Sequence, residues 1–399
     1  MNLLKLSIQN IKTKALQTFL TVLILSLSIG LLLGVKQLNR VFENQLKQSL
    51  NGVDMVVGAK GSPLQLVLSA VLHIDNPTGN ISYAEAKKIG SNRAIDVAVP
   101  VSIGDNYQGY KIVGTTTQFI DLQKAKLSEG VLFKVPFEVV IGSAVATNLN
   151  LKIGDTFSSA HGLIENAIEE HSEHPLKVVG ILAPTQNVVD RLIVTDVESI
   201  WHMHEHGAAA EENHDHADGE ITALLVQFKN KRALLQLPRM INETTNFQAA
   251  LPKYELDKLF QMTAIATKAI SWIAIAILFV SGISIFISLY RMVVDKSKEL
   301  ALIRTYGASR NKLILLVFTE GILIGIFSFG VGILIASLGL QAVFNAIEQT
   351  YKQQIYLLNY SQDLLELGLF TFGLIVSATA IAIIPIFTMD VSKILSNEN

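Results

Sequence analysis

Apolar residues are gathered into four long runs, one near the N-terminus and three in the last third, with a mixed polar region between them. Ala15 to Val35 has no charge between Lys14 and Lys36, and Ala269 to Tyr290 has none between Lys268 and Arg291. Leu313 to Gln341 holds one acid, Glu320, near its start, and Leu367 to Met389 is uncharged between Glu366 and Asp390. About 20 apolar residues cross ~30 Å of hydrocarbon at a rise of ~1.5 Å each, so every run predicts a spanning helix. Buried helices of a soluble protein rarely show four such runs together. The first run is longer than the ~7–15 residues of a signal-peptide core. It ends at Gly34-Val35-Lys36 with no small-x-small site, and is expected to be a retained anchor.

Lysine and arginine near the span ends set orientation. Lys5, Lys12 and Lys14 precede the first span with no acid, and Arg291 to Lys312 carries six basic residues against Asp295 and Glu299. Ala342 to Glu366 has Lys352 against Glu348, Asp363 and Glu366. Both termini and segment 291–312 are therefore expected in the cytoplasm, with the long middle region outside. Leu4, Ile8, Ile11 and Ala15 recur at helical spacing among lysines, as in a short helix lying on membrane lipids of the inner leaflet. Trp272, Tyr351, Tyr356 and Tyr360 suit the outer interface.

The outer region mixes two periods. Val53–Val57, Ile95–Ile103, Tyr110–Gly114, Glu138–Ile141, Leu176–Leu182, Arg191–Thr195 and Ile221–Phe228 are short and β-branched with turn residues at their ends, and predict strands. Leu64–Leu72, Ser82–Gly90 and Ser143–Asn150 predict helices, Ser82 and Glu85 having the spacing of a capping box. The expected fold is an α-helical membrane protein with four transmembrane helices and a large α+β extracytoplasmic domain between helices one and two. Its expected parts are an amphipathic cytoplasmic segment 1–14, helix one 15–36, the external domain 37–265 and helix two 266–290. A cytoplasmic helix 291–312, helix three 313–341, a short external loop 342–365, helix four 366–389 and a tail 390–399 follow.

Composition and chemistry narrow the function. Half of the residues are hydrophobic and 17% are charged, with a net charge of -2, so nothing points to nucleic acid. The absence of cysteine excludes disulfides, Fe–S clusters and thiolate zinc sites. There is no GxxxxGK[ST] phosphate loop and no GxSxG elbow, so the chain is expected to be no enzyme and to bind no ATP of its own. Glu320 is the one ionisable group inside a span and thus a candidate for function or for pairing with a neighbouring helix. Gly321, Gly325, Ser328, Gly332, Ala336 and Gly339 line one face of helix three, where another helix can approach closely.

Eight of nine histidines fall within 161–220, the stretch read as an insertion: His161, His171, His174, His202, His204, His206, His214 and His216. Acids are interleaved, and alternate histidines on an extended segment would point to one side, a composition suited to zinc capture. The same composition fits a solvated low-complexity insertion. No HExxH helix accompanies it.

Segment Lys298-Glu299-Leu300-Ala301-Leu302-Ile303-Arg304-Thr305-Tyr306-Gly307-Ala308-Ser309-Arg310 resembles the E-[LI]-A-x-x-R-x-x-G-A-x-R signature of the FtsX/MacB-type permease subunits of ABC transporters. Asn10-Ile11-Lys12-Thr13-Lys14 before the first span, Glu320-Gly321, and Pro385 with Asp390-Val391 and Leu395 are also similar to that family. In the outer region Val139-Val140-Ile141-Gly142, Leu151-Lys152-Ile153-Gly154-Asp155 and Lys177-Val178-Val179-Gly180-Ile181 resemble its external-domain motifs. The resemblance implies a bacterial inner-membrane, multi-pass permease that pairs with a second permease, identical or paralogous. A separate ABC ATPase would dock on the helix between spans two and three, bringing ATP. Glu299, Arg304 and Arg310 would lie at the membrane surface, with Leu300 and Ile303 as apolar contacts and Gly307 within the signature. Substrates would be lipoprotein, lipid, peptide or toxic compound outside the inner membrane, with an extracytoplasmic or outer-membrane protein as a further partner and zinc as cargo or regulator. No ATPase domain is expected before the first span, unlike in the macrolide-efflux members, and the external domain is larger than in the cell-division members. The different-class rival is a membrane receptor or adhesion protein whose external domain only binds.

Overall fold

A computed structural model of the chain describes residues 3–13, 15–50, 52–159, 175–205, 219–306, 309–351 and 361–388. In chain order the helices are α1 (Leu3–Thr13), α2 (Ala15–Ser49), α3 (Pro63–Ala70), α4 (Tyr83–Gly90), α5 (Gln118–Leu122), α6 (Ser143–Leu149) and α7 (Val197–Glu205). They continue as α8 (Ala233–Thr244), α9 (Pro252–Asp295), α10 (Ser297–Thr305), α11 (Arg310–Tyr351), α12 (Ser361–Ala382) and α13 (Ile384–Thr388). The strands are β1 (Met55–Ala59), β2 (Ile81–Ser82), β3 (Ile95–Tyr107), β4 (Tyr110–Thr115), β5 (Leu127–Gly130) and β6 (Glu138–Ile141). After them come β7 (Thr156–Phe157), β8 (Leu176–Leu182), β9 (Ile193–Asp196), β10 (Glu220–Ile221), β11 (Ala223–Phe228) and β12 (Phe247–Ala250). The chain divides into two compact units, Met1–Arg40 with Thr263–Val343 and Leu357–Asn399, and Val41–Met262 with Phe344–Tyr356.

The second unit is built on one mixed sheet, ordered β12-β1-β11-β3-β4-β9-β6-β8-β5, with β7 added to β8. Most neighbours are antiparallel; β4 with β9 and β6 with β8 are parallel, registered at Ile112↔Ile193 and Val139↔Val178. The central strands are apolar on both faces, and the period of two distributes them between separate cores. Val56, Leu225, Val99, Val113, Val194 and Val140 face one continuous core. It is covered by α3, α5 and the 3₁₀ turn Val188–Arg191, with Leu46, Leu50, Leu256 and Leu259 packed on it. On the other face Met55, Val57, Leu224 and Val226 join α4 and α8 at one end. Ile112, Val139, Ile141, Val178 and Ile193 join α6 and α7 at the other. Ser62 caps α3 by accepting from the Gln65 amide at 3.3 Å, with Pro63 opening the helix. Ser82 caps α4 through the Glu85 amide at 3.4 Å.

The first unit is helical. Four helices of the described chain, α2, α9, α11 and the segment Gln362–Phe387, are long and apolar enough to cross a membrane. Leu25, Ile29, Leu278, Ile285, Leu289, Leu313, Val317, Ile375 and Ala378 make its core. Its outward surface is apolar as well, with Phe19, Phe279, Ile283, Phe327 and Leu369 exposed, as a hydrocarbon solvent requires. In α1 the pattern is inverted relative to a soluble helix: Leu4 and Ile8 are exposed while Ser7 and Asn10 are buried. Ser7 Oγ lies 2.9 Å from Thr319 Oγ1 of α11, so α1 turns its polar side to the protein.

Candidate functional site: the helix between spans two and three

The basic segment 291–312 is shared among three helices rather than forming one. The spanning helix α9 runs on to Asp295, α10 occupies Ser297–Thr305, and α11 begins at Arg310. Glu299, Leu300, Ile303 and Arg304 lie on α10, Arg310 opens α11, and Gly307 lies outside the described residues. Glu299 and Arg310 are exposed and Arg304 is half-buried. Ala301 is fully buried, which places Lys298, Glu299, Leu302, Thr305 and Tyr306 together on the exposed face, at helical spacing. Leu302 is 50% exposed and Tyr306 85%. Leu302 and Tyr306 are thus apolar groups displayed beside Glu299, in addition to those named from the sequence, while the side chains of Leu300 and Ile303 lie outside the described residues. Counting three and seven residues on from Glu299 would have found Leu302 and Tyr306.

A polar chain braces the base of α10. Lys296, the residue before it, donates from Nζ to Asn10 Oδ1 at 2.5 Å, and Asn10 Nδ2 donates to Glu320 Oε2 at 3.5 Å. Glu320 is buried, so this acid of α11 faces protein instead of lipid, as the cost of dehydrating a carboxylate demands.

The small-residue face of α11 meets α12 and α2, with Leu289 of α9 also 3.3 Å from a Cβ built on Gly321. A Cβ built on Gly321 would stand 2.6 Å from Thr379 Oγ1, and one on Gly325 2.3 Å from Ile375 Cδ1, both in α12. At Gly332 it would stand 2.7 Å from Ile29 Cγ2 and 3.0 Å from the Ser26 carbonyl oxygen in α2, whereas Gly339 has nothing within 4 Å. Ser328 and Ala336 are buried on the same stripe.

The histidine-rich stretches divide. His161, His171, His174, His206, His214 and His216 lie outside the described residues. His202 and His204 lie on the helix α7, not on an extended segment, which corrects the expected alternation. His202 is exposed and its ring centroid is 6.3 Å from that of Phe137. Among the described residues no three His, Asp or Glu side chains converge as a metal site would require.

Among the described residues of the external unit, the ninth histidine is enclosed without a hydrogen-bond partner. His73 has a φ of 53°, is buried, and neither ring nitrogen has a hydrogen-bond partner. The Phe119 ring meets it edge-on at 6.5 Å. Arg191 Nη2 donates to the Leu72 carbonyl at 2.5 Å and Lys111 Nζ to the Asp75 carbonyl at 2.9 Å, so two cations flank the turn. Burial, followed by the charges of Lys111 and Arg191, pushes the His73 pKa down to about 3. Burial lowers Arg191 to about 10 and also lowers Lys111.

The family described as MacB-like periplasmic core domain matches residues 18–239, and that described as FtsX-like permease C-terminal matches residues 271–391. A search of curated proteins found no match. Among solved structures, the periplasmic region of MacB from Actinobacillus actinomycetemcomitans is 13% identical, with a TM-score of 0.34, over 55% of this chain and 97% of that one. The extracellular domain of the noncanonic ABC-type transporter YknZ from Gram-positive bacteria is 10% identical, with a TM-score of 0.32, over 49% of this chain and 98% of that one. With the first family covering more than half of the chain and the second most of the remainder, this multi-pass membrane protein belongs to the FtsX/MacB-type permeases of ABC transporters.

Proposed function

We propose that this permease converts ATP hydrolysis by a separate ABC ATPase into movement of its external domain, and that α10 is where the ATPase docks. The observation that carries the reading is the exposed row Lys298, Glu299, Leu302, Thr305 and Tyr306 over a buried Ala301, on a short helix between two spanning helices. Two apolar side chains beside charges of both signs suit a groove on a partner, and Tyr is enriched among the anchors of such interfaces. The sequence has no phosphate loop, which supports ATP being bound by the partner. Lys296, Asn10 and Glu320 support the reading by tying the base of α10 to α1 and α11. Both termini and α10 face the cytoplasm, a second permease completes the complex, and the substrate lies outside the bacterial inner membrane.

Charge reversal at Glu299 or Arg304, or Leu302→Asp with Tyr306→Asp, should abolish co-purification of the ATPase or uncouple its turnover from transport. Membrane insertion should be unchanged. Full co-purification and coupling in all of these variants would remove α10 as the docking element.

A further inference from the structure

At the opposite end of the spans, α2 and α12 are joined by a buried carboxylate. Asp363, in the first turn of α12, is 1% exposed. Arg40 of α2 donates from Nη2 to Oδ1 at 3.0 Å and sets Nη1 2.8 Å from Oδ2. Gln37 Nε2 donates to Oδ2 at 2.8 Å. Lys36 Nζ stands 3.7 Å from Oδ1 and 2.7 Å from Glu366 Oε2. Lys36, Gln37 and Arg40 share one face of α2 by their helical spacing, and Lys36 is the first charge after the apolar run that began at Ala15. The cluster therefore lies where α2 leaves the hydrocarbon.

Adhesion alone does not call for this chemistry. An ion pair with a buried carboxylate gives little net stability over apolar side chains of the same volume, because the carboxylate must be dehydrated while its partner Arg40, 39% exposed, stays partly in water. What a two-pronged guanidinium–carboxylate pair adds is geometry: it fixes orientation and register, where apolar contacts allow helices to slide and turn. Register matters at this point because α2 continues without a break to Ser49, and Leu46, two turns beyond Arg40, is packed on the external core.

We propose that Asp363 is a positioning residue for mechanical transmission. Its fork with Arg40, braced by Gln37 and Lys36, makes α2 and α12 move as one at the outer membrane surface, so that displacement of α12 passes along α2 towards the external domain. This rests on the ATPase-driven reading above, and the experiment separates the two.

The chain has no cysteine, so a single cysteine at the exposed Gln48 can carry a spin label without other changes. The complex of the labelled full chain with its ATPase, in lipid nanodiscs, is compared with ATP and with ADP. With Asp363 intact, label mobility is expected to change with nucleotide. Asp363→Asn and Arg40→Ala should each abolish that change while ATP turnover persists, and the double variant should lose nothing further. Arg40→Lys keeps the charge and removes the fork; it should reduce the change without lowering the melting temperature, an outcome that a purely structural staple does not give. A nucleotide response retained in Arg40→Lys and in either of the other variants overturns the proposal and leaves the docking reading intact. A parent complex that turns over ATP with no response at position 48 overturns both.

Discussion

Replacing His73 by Asn tests the electrostatics of the external unit directly. The imidazole is held neutral by burial and by two cations, with its folded pKa near 3 against an ordinary value of 6.5. The folded value lies below the unfolded one, so as pH falls the unfolded chain takes up the proton first. The contribution to stability is complete above about pH 6.5 and is lost progressively between 6.5 and 3. By about pH 5 the unfolded histidine is some 1.5 pH units into its protonated range, which costs the fold about 2 kcal/mol relative to pH 7.5. For a unit of this size, that is a fall of roughly 4–8 °C in melting temperature. Asn accepts the left-handed backbone that position 73 requires and does not titrate. Thermal unfolding of detergent-solubilised parent and His73→Asn protein, followed at about pH 7.5 and about pH 5, isolates the effect, since all other groups titrate in both. The parent should lose about 2 kcal/mol more than the variant on acidification. Equal losses would refute the buried, neutral assignment.

Glycine substitutions in α11 should be graded by what the added methyl meets. Gly332→Ala, facing the β-branched Ile29 and a backbone carbonyl, should destabilise the membrane unit by about 1–3 kcal/mol. Gly339→Ala, with open space, should leave the melting temperature unchanged or raised; equal effects at the two positions would contradict the packing. If the histidine-rich segment captures zinc, titration of the full chain gives saturable heat that disappears when His171, His174, His206, His214 and His216 are replaced by Ala. A flat titration with parent protein removes the metal reading of the histidine-rich segment.

Much of the architecture could be read from local pattern. Glu138–Ile141 and Leu176–Leu182 form strands with the bounds that their β-branched runs predict: the first is almost wholly buried, and the second alternates buried with more exposed positions, the period of a strand. Ser82 caps α4 as its spacing with Glu85 implies. Elements without a strong local signal were not legible. β5, Leu-Ser-Glu-Gly at 127–130, is a strand only because β8 presents a free edge to it, and β12 ends in two alanines whose pairing with β1 comes from tertiary contact. α8 carries Pro238 inside it, which argues against a helix locally, yet its Leu237 and Ile241 are buried in the core. Around α10, sequence located the segment and its charges but not its exposed side, because a nine-residue helix with buried Ala301 and exposed Leu302 shows no amphipathic stripe of its own.

By itself, then, the sequence determined the four spans, the polar region between the first two, the basic segment before the third, and the family. Each of these follows from runs, spacing or charge that a stretch of chain carries without reference to the rest. Only the tertiary structure decided which groups meet across long separations. Arg40 reaches Asp363, Lys296 reaches Asn10, and His73 is enclosed beside Lys111 and Arg191. Each of these meetings depends on how distant helices and strands pack, and no local period records that.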